Sequence, residues 1–206
     1  MKKASILIII ILLIDQISKM YIKTHFQLHE SETVFSWFKI YFVENDGMAW
    51  GTKLSDILPF IGDRTAKLCL TTFRIFAILG IGYWLVNAIK KKHSKTLIFA
   101  LIFIFSGALG NIIDSVFYGV IFNDSFGQVA TFLPVDGGYD KALFGNVVDM
   151  LYFPMWQGNL PEWIPYLGGE NFIFFEPVFN IADVAIAIGF GILLFFNNKA
   201  FPKKIL

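Results

Sequence analysis

Four stretches of the chain, about 4 to 22, 68 to 89, 95 to 116 and 178 to 197, are long and apolar enough to cross a bilayer as helices. A hydrocarbon layer of about 30 Å needs roughly 20 such residues, and a backbone inside lipid must satisfy its own hydrogen bonds. Composition agrees, since 56% of the 206 residues are hydrophobic, 16% are charged and the mean hydropathy is +0.62. That leaves too little polar surface for an ordinary soluble domain. The expected fold class is therefore a mainly α membrane protein, a single integral domain over 1–206 with four transmembrane helices, a small extracytoplasmic β-element and surface loops. The first stretch follows Lys2-Lys3 as a signal peptide would. It carries Asp15, Gln16 and Lys19 and offers no small-residue cleavage site, so it is expected to be retained.

Basic residues near span ends fall in three clusters: Lys2 and Lys3; Lys90, Lys91, Lys92 and Lys95; and Lys199, Lys203 and Lys204. Four spans put all three on one side, which the positive-inside tendency makes cytoplasmic, with both termini there. The connections 23–67 and 117–177 then lie outside. Within them Val34 to Val43 reads as strand and is followed by the turn-prone Asn45-Asp46-Gly47, while 119–146 and 153–171 read as surface loops. A net charge of +1 supplies no basic excess for nucleic acid. Cys69, the single cysteine, is expected to pack rather than pair. His25, His29 and His93 make no ligand set, so neither a metal nor another cofactor is expected. Gly80 and Gly82, Gly107 and Gly110, and Gly189 and Gly191 are small-residue pairs suited to close helix approach.

Ionisable groups inside a span need a partner or a task, because each costs a few kcal/mol to insert. Asp15 and Lys19 are spaced i, i+4 and can neutralise each other, while Arg74 lies near a helix end. Asn111 and Asp114, spaced i, i+3, sit near the outer end of the third stretch, and Asn180 and Asp183 repeat that spacing in the fourth. Asp149 precedes them in an apolar setting, Val147-Val148-Asp149-Met150. These groups cluster at one depth of the membrane. Two carboxylates converging in a poorly hydrated site share a proton, and such a pair can activate a water for peptide hydrolysis. Composition does not separate that chemistry from a proton relay in a carrier, or from a non-catalytic scaffold. Asp183 is also what a helix start favours, although Asn180 alone could serve as the cap.

The order of motifs adds a resemblance. Asp15-Gln16-Ile17-Ser18-Lys19, Asn45-Asp46-Gly47-Met48-Ala49-Trp50, Gly107-Ala108-Leu109-Gly110-Asn111-Ile112-Ile113-Asp114, Val147-Val148-Asp149 and Phe179-Asn180-Ile181-Ala182-Asp183 follow one another along the chain. Together they resemble the lipoprotein signal peptidases, or signal peptidase II, an intramembrane aspartic peptidase family. The resemblance implies a catalytic dyad of Asp149 and Asp183, with Asn45, Asn111 and Asn180 binding substrate or orienting the dyad. It implies structural support from Asp15, Lys19, Gly47, Gly110 and Asp114. The implied substrate is a diacylglyceryl-modified bacterial prolipoprotein, cut on the amino side of the modified cysteine at the extracytoplasmic face of the inner membrane. Membrane lipid is the implied surrounding, and a globomycin-type cyclic lipopeptide the implied inhibitor; oligomeric state is not specified. Two departures stand out. Ser115 occupies the position where the family usually carries Arg, and Asp114 and Asp149 lie 35 residues apart, which implies an outer insertion near 119–146; a second is expected between Asp149 and Phe179, near 154–176.

Overall fold

The computed structural model describes residues 2–45, 60–163 and 168–202. Its helices are α1 (Lys2–His25), α2 (Asp63–Lys90), α3 (Lys95–Ile113), α4 (Ile181–Phe195) and the single turn α5 (Asn197–Ala200). Its strands are β1 (Ser31–Phe35), β2 (Phe38–Asn45), β3 (Val147–Tyr152), β4 (Trp156–Asn159), β5 (Asn171–Phe174) and β6 (Val178–Phe179).

Among the described residues three helices, α1, α2 and α3 with its extension to Ile121, are long and apolar enough to cross a membrane. The fourth expected span is an apolar helix of 15 residues, about 22 Å long at the helical rise. It is shorter than expected because Val178 and Phe179 pair with β3 as a strand and Asn180 caps the helix that follows. The outward faces of the long helices are apolar, with Ile9, Leu13, Ile17, Phe73, Phe76, Leu79 and Tyr83 exposed. In water such faces would drive association, whereas in lipid they face a solvent as apolar as themselves.

The helices meet where side chains are small. At Gly107 a Cβ would run into the Ala182 carbonyl oxygen, and at Gly189 it would come within 2.5 Å of Ile104 Cγ1 and 2.7 Å of the Ala100 carbonyl oxygen. These contacts let α3 and α4 pack backbone to backbone. Gly80 and Gly191, by contrast, face open space. A core of Ile11, Leu85, Leu97, Leu101, Ile102 and Ala185 fills this part of the bundle. At its basic end Ser94 caps α3 by accepting from Leu97 N at 3.2 Å and donates to the Ala200 carbonyl at 2.8 Å, tying α5 to the turn between α2 and α3.

At the other end lies a four-stranded antiparallel sheet, ordered β1-β2-β3-β6, with β4 and β5 forming a separate hairpin. A second core packs beneath it from Ile22, Phe26, Phe42, Tyr118, Phe122, Val148 and Met150. Helix α3 leaves its regular course in a π turn, Asp114–Tyr118, before the chain enters the loop leading to β3. That loop is anchored. Lys23, fully buried, pairs with Glu44 and donates to Ser125 Oγ at 2.9 Å, while Asn146 donates to Glu44 Oε2 at 3.1 Å and from its backbone to Tyr139 Oη at 2.6 Å. Arg64 reaches Asp140 at 2.8 Å and lies over the Phe144 ring, so the start of α2 docks on the same loop. Gly145 passes so close to Asp114 that a Cβ would strike its carbonyl oxygen.

Candidate active site

The register of the sheet begins the site. Val43 pairs with Asp149 and Asn45 with Val147, so the Asn45 and Asp149 side chains are diagonal neighbours on one face. Asn45 Nδ2 donates to Asp149 Oδ2. On the other side of β3, Leu151 pairs with Phe179, which delivers Asn180 to the opposite oxygen, with Nδ2 donating to Asp149 Oδ1 at 2.6 Å. Asp149, 4% exposed, is therefore held between two amides. Burial, and then the charge of Asp183, push its carboxyl up to about 8 against the pull of Lys19 and of the Asn180 hydrogen bond. At neutral pH it keeps a proton.

Asp183 is placed by the start of α4. Asn180 Oδ1 accepts from Asp183 N at 2.9 Å, and Asp183 Oδ2 accepts from Asn180 N at 3.2 Å, a reciprocal capping box. Asn180 alone does not complete the cap; Asp183 shares that work. Its remaining oxygen, Oδ1, accepts from Asn111 Nδ2 at 2.9 Å, and Asn111 Oδ1 accepts from Asn180 Nδ2 at 3.1 Å. Asn180 thus touches both aspartates, and Asn111 bridges the Asp183 carboxylate to the Asn180 amide.

Behind these amides stands a second layer. Lys19 Nζ donates to Asn111 Oδ1 at 2.8 Å and pairs with Asp15 at 3.1 Å and Asp114 at 2.7 Å. The expected pair is a triad, in which one cation serves two carboxylates that are fully or almost fully buried. Asp15 Oδ1 also accepts from Ala182 N at 2.8 Å in the first turn of α4, and Asp114 Oδ2 accepts from Val148 N at 3.3 Å in β3. The triad thereby positions both elements that carry the aspartates. Gly110 leaves room for it, since a Cβ there would lie 2.5 Å from Asp15 Oδ2.

The profile of a family described as signal peptidase (SPase) II matches residues 7–198. The chain belongs to the signal peptidase II family. It is 45% identical over 194 residues to a lipoprotein signal peptidase of Porphyromonas gingivalis, covering 94% of this chain and 81% of the relative. A lipoprotein signal peptidase of Amoebophilus asiaticus is 33% identical over 197 residues, covering 93% and 76%. Two solved structures of a bacterial membrane enzyme, obtained by the in meso method at 2.3 and 1.9 Å, share the fold with a TM-score of 0.61. Their identities are 21% and 22%, and they cover 100% and 98% of this chain and 94% and 96% of their own.

In this signal peptidase II family member, nine of the ten residues singled out by the motifs fall into one connected network; Gly47, with the rest of its motif from Asp46 to Trp50, lies outside the described residues. The long loop does not pull Asp149 away from Asp183, because Gly145 N donates to the Ser115 carbonyl at 2.9 Å and Val148 N to Asp114, both at the end of α3. Ser115 is buried and donates from Oγ to the Asn111 carbonyl at 3.1 Å, an ordinary turn-back bond within a helix.

Two further members of the site carried a weaker signal in the sequence. Gln16 donates to Asp15, Asp114 and the Gly110 carbonyl at 3.0, 2.9 and 3.2 Å, and accepts from Tyr118 Oη at 3.2 Å. Its position beside Asp15 within an apolar stretch was the available clue. Arg74 is the other. Helix α2 starts at Asp63 rather than near 68, so Arg74 lies eleven residues inside it, roughly 16 Å from its start and well beyond a helix end.

Proposed function

We propose that the chain is an aspartic endopeptidase of the bacterial inner membrane that removes signal peptides from prolipoproteins, cutting on the amino side of a diacylglyceryl-modified cysteine. The observation that carries this reading is the sharing of one amide, Asn180, by Asp149 and Asp183, and the burial that pushes the Asp149 carboxyl up favours its protonated form. Asp183 takes a proton from water as the resulting hydroxide attacks the scissile carbonyl carbon, and Asp149 gives its proton to the carbonyl oxygen. Collapse of the gem-diol returns a proton to Asp149 and passes the one on Asp183 to the leaving amine. Asn45, Asn111 and Asn180 hold the carboxyls in place for both transfers, and Lys19 with Asp15 and Asp114 holds Asn111 and the two elements behind them. Both termini and the basic turn near Ser94 face the cytoplasm in this reading, and the dyad faces the other side. A globomycin-type cyclic lipopeptide would compete for the same cleft.

A second reading has one observation in its favour: both oxygens of Asp183 are engaged, one of them in the capping box, so that residue could serve α4 alone. Cleavage of a diacylglyceryl-modified prolipoprotein by the purified chain, compared with Asp149→Asn and Asp183→Asn at equal folded amounts, separates the two. Each variant is expected to lose about four orders of magnitude in turnover, as groups acting as a unit do. An Asp183→Asn enzyme that cuts at the native rate would reduce Asp183 to a helix cap, because an amide oxygen still accepts from Asn180 N.

A further inference from the structure

Arg74 is placed where lipid-exposed helices do not leave a cation without reason. Its guanidinium Nη1 is out of solvent and has no hydrogen-bond partner among the described residues. It borders a cavity of ≈ 130 Å³ between α2, α3 and α4, whose other walls are Ala77, Ile78, Ile81, Ala108, Ile112 and Ile186, with Asn111 as the one polar neighbour. Asn111 is the amide that holds Asp183. The guanidinium also lies within electrostatic reach of Asp183 and Asp149. No ion pair within 4 Å joins it to either among the described residues. A desolvated N–H without an acceptor is expensive, so the site is complete only when an acceptor enters.

We propose that this cavity is a substrate subsite in which Arg74 donates from Nη1 to a backbone carbonyl oxygen of the bound peptide beside the scissile bond, while the apolar walls take a small aliphatic side chain. The inference rests on the peptidase reading above. An anionic occupant is disfavoured by the neighbouring aspartates, whereas a neutral carbonyl satisfies the guanidinium without opposing them. The cavity, ≈ 130 Å³ where a single water needs only about 10–15 Å³, has room for a small aliphatic side chain. Arg74 is thus a substrate-positioning residue whose contribution belongs to binding, and its charge is a burden on the empty fold.

The test is steady-state cleavage of a diacylglyceryl-modified prolipoprotein by the full chain in detergent, with Arg74→Met and Arg74→Lys beside Asp149→Asn, and with thermal unfolding of each. Arg74→Met is expected to raise KM about 10- to 100-fold, the weight of one charge-assisted hydrogen bond, with kcat within about threefold of native. Arg74→Lys, which keeps a charged donor, is expected to recover most of that loss. The Met variant should unfold at or above the native temperature, because it removes a desolvated charge from a span. An unchanged KM in Arg74→Met overturns the proposal. So does a Met variant that fails to fold, or a fall in unfolding temperature shared by Met and Lys, since either assigns Arg74 to the scaffold. A native chain that never cuts defeats the peptidase reading itself, and this inference with it.

Discussion

Replacing Asp149 by Asn isolates the proton that the site is built to hold. Burial raises the carboxyl of Asp149 from an ordinary value of 3.8 to about 8, so the folded chain binds that proton more tightly than the unfolded chain does. The sign follows from linkage: the stabilisation from Asp149 is complete below about pH 4 and is lost as pH rises to about 8. Roughly four pH units at about 1.36 kcal/mol each set a ceiling of about 5 kcal/mol for the loss. Asn cannot ionise and escapes it. The amide carries its own cost, because its NH₂ faces one of two donors, Asn45 Nδ2 or Asn180 Nδ2, where a carboxyl oxygen accepted. One such mismatch costs about 1–3 kcal/mol. Asp149→Asn should therefore unfold below the native protein at pH 4.5 and above it at pH 8, an inversion of several degrees readable from tryptophan fluorescence in detergent. A gap between the two proteins that keeps the same sign and size at both pH values would refute the reasoning. On the peptidase reading proposed above that proton is the one given to the scissile carbonyl, so native cleavage is expected to decline as pH rises through about 8.

Lys19→Met should be among the most damaging single changes, because Asp15 and Asp114, 1% and 0% exposed, would lose their shared cation. The expected loss is about 3–5 kcal/mol, seen as a lowered unfolding temperature or a failure to accumulate folded protein. Gly107→Ala forces a methyl against the Ala182 carbonyl and should lower stability by about 1–3 kcal/mol, whereas Gly80→Ala, which faces open space, should leave unfolding unchanged. Equal effects at the two glycines would remove the close α3–α4 contact as the cause.

What could be read from the chain without its fold was what local periodicity and lipid enforce. An apolar stretch of some twenty residues has few alternatives to a helix in a bilayer, a spacing of four puts Asp15 with Lys19 on one face wherever the helix goes, and a spacing of three lets Asn180 and Asp183 cap a helix start reciprocally. The identity of those polar groups then limits the chemistry, because a carboxyl in such a place must be paired or must hold a proton. Partners distant in sequence are a different matter. The sheet register brings Asn45 to Asp149, the pairing of β6 with β3 brings Asn180 to the same carboxyl, and Lys19 adopts Asp114 from another helix rather than Asp15 alone. The 35-residue gap between Asp114 and Asp149 closes because Val148 N and Gly145 lie against Asp114, contacts that no spacing rule contains. Arg74 is the clearest case. Five extra residues at the start of α2 place a charge deep within the helix beside the aspartates, and only the packing of α2 against α3 and α4 gives that charge a cavity to face.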